Sequence, residues 1–194
     1  NVNSNVADDT LYHATLDGDN PQALFVQPGL SGMAADGADG NLYWAVFGEG
    51  AIRTSRFDGS AERVIVQGLS SPVEIAVDAA NGKIYWADFV DNLIARANLD
   101  RSGFEVIVAG QQAQNGAQTA VQIYGSRAQQ AGDVNAQVLM RPWGIALDLV
   151  NEKVYWTEQT GNRVARANFD GSGEQTVVSV ADSLDGPRGL AVDP

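Results

Sequence analysis

Three times this chain sets a tyrosine–tryptophan pair in the same apolar frame: LYWAV at 42–46, IYWAD at 84–88 and VYWTE at 154–158. Seven residues before each tyrosine stands an aspartate (Asp36, Asp78, Asp148) that closes a short apolar segment: GMAAD, EIAVD and GIALD. Fifteen residues after each tyrosine a second aspartate (Asp58, Asp100, Asp170) opens a polar turn, and a valine-rich segment follows. The unit thus holds four short apolar segments separated by Gly, Asn, Asp and Ser turns. β-branched and aromatic residues dominate the segments, which is a strand signal, and no stretch keeps a helical period. Four strands in one short unit make one antiparallel sheet, and such sheets in tandem must bury their faces on one another. The expected fold is all-β: a β-propeller of four-stranded antiparallel blades, three complete and one partial.

The partial blade comes from the ends. LYHATLDGDNPQALFV (11–26) aligns with the third and fourth strands of a unit, and GLAVDP (189–194) aligns with a first strand. Residues 1–194 are therefore read as a single propeller domain or propeller fragment, and an open ring would favour pairing with another copy. Opening at Asn1 without a charged-then-apolar leader, the sequence is read as a processed chain or an excised domain. One link between units is long. Asp78 to Asp148 spans 70 residues against 42 for Asp36 to Asp78, which places a Gln- and Ala-rich insertion at about 111–138. Loops of that length are often functional or disordered, and Tyr124 lies in its single apolar knot.

Composition removes several functions. Asp and Glu number 24 against 12 Lys and Arg, a formal charge of -12 that repels phosphate backbones and anionic membranes. Nucleic acid is excluded as a partner, and cations or basic protein surfaces should be drawn instead. There is no cysteine and one histidine, His13, so thiolate sites and two-histidine metal sites are excluded. No apolar run approaches the ~20 residues of a membrane helix, so membrane insertion is not expected.

IYWADFVDNLIARANLDRSGFEVIV (84–108) and VYWTEQTGNRVARANFDGSGEQTVV (154–178) resemble the YWTD, or class B, repeat of low-density lipoprotein receptor β-propellers. The resemblance covers roughly residues 10–110 and 138–194. It implies that the face carrying the loops between second and third strands, with the links between blades, binds protein or peptide. On this chain that face would present Phe47, Phe89, Glu74, Trp143 and Arg188, with Tyr124 from the insertion.

The remaining motifs have structural and chemical readings side by side. Asp17–Gly18, Asp58–Gly59 and Asp170–Gly171 suit tight turns, although weak calcium binding there or at Asp36, Asp39 and Asn41 stays open. No other cofactor is expected. Asp88 and Glu158 are expected to pair with Arg96 and Arg166. They stand in separate blades, too far apart to act on one bond. His13, at the repeat position of those arginines, is read as a hydrogen-bonding residue of the blade. The leading function is a non-catalytic module that recognises protein or peptide. The alternatives are a self-assembling structural module and, behind it, a calcium-dependent propeller hydrolase or lactonase. Class B propellers imply a secreted or cell-surface setting. The lack of cysteine-rich neighbours and of Asn-X-Ser/Thr sites points to a bacterial one.

Overall fold

The computed structural model describes residues 9–14, 17, 19–110, 141–179 and 184–193. These residues form fourteen strands and no helix. The first pair is a two-stranded sheet, β1 (Thr10–His13) and β2 (Gln22–Val26). Three four-stranded antiparallel sheets follow, each in sequential strand order. Blade 1 is β3 (Leu30–Asp36), β4 (Asn41–Val46), β5 (Ala51–Arg56) and β6 (Arg63–Gln67). Blade 2 is β7 (Pro72–Asp78), β8 (Lys83–Asp88), β9 (Leu93–Asn98) and β10 (Glu105–Ala109). Blade 3 is β11 (Pro142–Asp148), β12 (Lys153–Glu158), β13 (Arg163–Asn168) and β14 (Gln175–Val178). The expected three complete blades and one partial blade are all present.

The turns explain the repeated aspartates. The Asp78 carboxylate accepts from the Asn81 amide at 3.1 Å and from its side-chain nitrogen at 2.8 Å. Asp148 and Asn151 repeat both bonds, and Asp36 accepts from the amide of Ala38. Each aspartate thereby closes the hairpin between its blade's first and second strands. The second set, Asp58, Asp100 and Asp170, accepts from Ser60, Ser102 and Ser172 in the turn before the fourth strand. Those serine bonds hold all three carboxyls below the usual aspartate range.

Alternation along the second strand settles the aromatic pairs. Neighbouring residues of a strand face opposite sides of its sheet. Trp86 packs back into the layer shared with blade 1, among Tyr43, Ile52 and Ile65. Tyr85 packs forward into the layer shared with blade 3, among Ile145 and Val154, its ring 5.2 Å from that of Phe169. This pair fills the layers on both sides of blade 2. The innermost strands β3, β7 and β11 lie side by side in that order.

The tail differs from expectation. Residues 189–193 of GLAVDP form no strand. A strand needs a ladder partner for its backbone groups, and the described residues supply no second strand beside this one. The preceding residues hold the segment in place instead. The Arg188 carbonyl accepts from the Thr157 hydroxyl at 3.1 Å, and the Gly186 amide donates to the Asn162 side chain at 2.8 Å. The insertion at 111–138, Tyr124, Gly18 and the His13 side chain lie outside the described residues.

Candidate interaction face

Strand register fixes which loops share a face. The start of β3 pairs with the end of β4 (Leu30 with Val46), and the start of β5 with the end of β6 (Ala51 with Gln67). The links between blades and the hairpins between second and third strands therefore lie at one end of the sheets. One bond recurs there: the amide of Phe47, Phe89 or Gln159 donates to the carbonyl of Gly29, Ser71 or Arg141. These are equivalent link positions, so each hairpin is tied to the first strand of its own blade.

On this face Phe89 of blade 2, Trp143 of blade 3 and Arg188 of the tail come together. The Phe89 and Trp143 rings meet edge to face, 5.4 Å apart at an interplanar angle of 83°. The Arg188 guanidinium lies 4.7 Å over the Trp143 ring, and that of Arg141 lies 5.1 Å over Phe89. With its oxygen toward Arg188, the Gln159 amide accepts from Nη2 and Nε at 2.9 and 3.1 Å. The result is a row, Arg141–Phe89–Trp143–Arg188–Gln159, across the mouth of the layer between blades 2 and 3. Trp143 is partly buried against that layer and partly open, so it is both packing residue and surface residue.

Neighbouring side chains hold the row in place. The Asn92 side-chain Oδ1 accepts from the Arg141 amide at 2.7 Å, just as that of Asn162 accepts from the Gly186 amide in the tail. Asn92 and Asn162 sit at positive φ (50° and 46°), at the hairpin position Gly50 fills in blade 1. Gly144 follows Trp143, and a Cβ there would strike the Arg188 backbone carbonyl. These asparagines and Arg141 were not among the expected site residues. Their signal was the repeat itself, read as backbone geometry.

The other expected residues stand apart from the row. Phe47 holds the hairpin position of Phe89 one blade earlier and is 44% exposed. Glu74 occupies a first-strand position that is glycine in the other units, Gly32, Gly144 and Gly189. A Cβ on Gly32 would come within 2.5 Å of the Glu74 Cα and 2.7 Å of its carboxylate, so blades 1 and 2 approach closely here. Burial pushes the Glu74 carboxyl up, against the lowering effect of bonds from the Ile75 and Met33 amides. A raised carboxyl pKa in the folded state means that protonation favours folding. Its contribution is full below the unfolded range and is lost as pH rises through the folded value. Glu74→Gln is therefore expected to melt above wild type at pH 7, with the gap closing near pH 4. A thermal scan at both values checks it, and a less stable variant at pH 7 would contradict it.

The buried carboxylates depart from the expected pairing. Asp88 accepts from the amides of Ser70, Ser71 and Asp91, each at about 3.0 Å, and binds its link to its hairpin. Burial raises its pKa against those amides. Glu158 pairs with Arg163 at 2.5 Å, not with Arg166, and accepts from the Trp156 indole nitrogen at 3.0 Å. Arg96 and Arg166 instead reach Tyr85 and Tyr155, with Glu105 and Gln175 as their second partners. The register gives the reason. Glu158 lies directly opposite Arg163, whereas Arg96 and Arg166 lie opposite the tyrosines. Among the described residues no three acidic or histidine side chains cluster as a metal site would require.

Four-stranded sheets stacked blade on blade, with Tyr and Trp filling opposite layers, define this as a β-propeller-type repeat protein. Residues 152–194, which hold the second to fourth strands of blade 3 and the tail, match the family model described as low-density lipoprotein receptor repeat class B. Blades 1 and 2 carry the same frame of residues. Mouse low-density lipoprotein receptor-related protein 5 is 41% identical over 56 residues, covering 29% of this chain and 3% of that protein. Protein cueball of Drosophila grimshawi is 42% identical over 57 residues, 27% of this chain and 9% of that one. The chain thus spans a small part of the curated relatives it matches. Among solved structures, a nidogen/laminin complex superposes with TM-score 0.67 at 25% identity, over 89% of this chain and 57% of that one. The virginiamycin B lyase of Staphylococcus aureus reaches 0.65 at 16% identity, over 96% of this chain and 54% of that one. At that identity the likeness concerns the fold alone.

Proposed function

We propose that this chain is a non-catalytic recognition module that binds a protein or peptide on the link face, with Trp143 as its anchor. The observation that carries the reading is the row Phe89–Trp143–Arg188, contributed by blade 2, blade 3 and the tail. A partly exposed tryptophan flanked by arginine is the composition of interface hot spots, and the bonds from Asn92, Thr157 and Gln159 hold the row ready. A nidogen/laminin complex and a receptor-related protein among the similar proteins agree with protein binding. They also support an extracellular or cell-surface setting. The comparisons give a bacterial origin no support.

The test is selection of random dodecapeptides displayed on phage against the immobilised chain. Enriched clones are expected to bind the Trp143→Ala variant about 30-fold more weakly or worse, the loss typical of a hot-spot residue. Circular dichroism of the variant checks that the blades remain folded. Failure to enrich any clone, or clones indifferent to Trp143→Ala, would overturn the reading.

A further inference from the structure

The two arginines that close the row differ from the ion-paired arginines of this protein. Arg53, Arg96 and Arg163 are neutralised by glutamates at 2.5–2.8 Å. Neither Arg141 nor Arg188 forms an ion pair among the described residues, and both are exposed. Among the described residues, two cations thus stand without counter-charge on one face of a chain whose net charge is -12. A guanidinium stacked on a ring keeps its in-plane N–H donors turned outward, and on Arg188 those not bonded to Gln159 are left for a planar acceptor.

Arg141 carries a second signal. It adopts φ 53°, in the left-handed region, as do the equivalent link residues Gly29 and Gly186 at 75° and 52°, whereas Ser71 at the same position of blade 2 does not. An arginine held in a conformation that favours glycine retains strain, and such strain gathers at ligand-contacting positions.

We propose that Arg141 and Arg188 select a partner segment carrying a carboxylate side chain, aspartate or glutamate, beside an apolar residue that lies on Phe89 and Trp143. The inference deepens the recognition function above and rests on it. The acidity of the whole chain suggests basic partners, but charges beyond about 8 Å are screened at physiological salt. The groups in contact decide selectivity, and on this row they are cationic and aromatic. A polyacidic run would still meet the surrounding negative potential, so a single carboxylate with apolar neighbours fits best.

The peptides selected on phage also test this. Enriched sequences are expected to carry Asp or Glu next to an apolar residue. A synthetic peptide of the best clone should bind about tenfold or more tightly than its Asn or Gln counterpart, the worth of a charge-assisted hydrogen bond. Arg188→Gln should lose a similar factor. Arg141→Gly should weaken binding while melting within about 4 °C of wild type, because glycine suits its backbone. A purely structural role for the two arginines predicts the opposite, lower melting with unchanged peptide preference. Neutral or basic clones that depend on Trp143 but not on the arginines would overturn the carboxylate assignment and leave the recognition module standing. An absence of Trp143-dependent clones would overturn both.

Discussion

Replacing Arg163 with leucine is expected to destabilise the protein by about 3–5 kcal/mol, because it strands a carboxylate in the interior. Glu158 is 1% exposed, and Arg163 is its charged partner at 2.5 Å. The same guanidinium also holds Glu174 at 2.8 Å and the Thr176 hydroxyl at 3.1 Å. The chain contains its own control. At the corresponding cross-strand pair, blade 1 has Val46 opposite Ala51. The double variant Glu158→Val/Arg163→Ala copies that apolar pair and is expected to recover most of the loss, since well-packed apolar groups substitute for buried ion pairs at little cost. Urea unfolding of wild type, single and double variants measures it. A single variant within 1 kcal/mol of wild type would contradict the argument.

Trp86→Ala is expected to cost a similar 3–5 kcal/mol through the cavity it opens. Its ring is fully buried between blades 1 and 2, with Phe104 at 5.4 Å. A finer comparison separates volume from hydrogen bonding. Among the described residues the indole nitrogens of Trp44 and Trp86 are buried without a hydrogen-bond partner, whereas that of Trp156 donates to Glu158. Trp156→Phe is therefore expected to cost about 1–2 kcal/mol more than Trp86→Phe, since it also removes a charge-assisted bond from a buried acceptor. Equal losses in the two phenylalanine variants would mean that the bond contributes nothing net.

These effects trace a substitution pattern that sequence spacing shows only once the register is known. The fourth motif position and its cross-strand partner change together: Val46 with Ala51, Asp88 with Leu93, Glu158 with Arg163. The expected partners Arg96 and Arg166 recur at one repeat position, but that position faces Tyr85 and Tyr155. Recurrence alone paired the wrong residues. Counting outward from the hairpin would have paired the right ones, because direct opposition decides contact on a sheet.

The strands, the blade unit and the opposed packing of each Tyr and Trp were legible in the sequence. They follow from a two-residue alternation and from turns whose Asp, Asn and Gly act on their own neighbours. Phe89, Trp143 and Arg188 could be placed on one face by strand counting, but their contact could not. Phe89 belongs to a hairpin, Trp143 to a first strand beyond a long insertion, and Arg188 to a tail that forms no strand. Their meeting depends on how blades stack, a packing of distant segments that no local pattern encodes. The same holds for Glu74, whose raised pKa comes from the approach of blade 1 at Gly32. Local periodicity made the blade, and only the stacking of blades brought an aromatic pair under two exposed arginines.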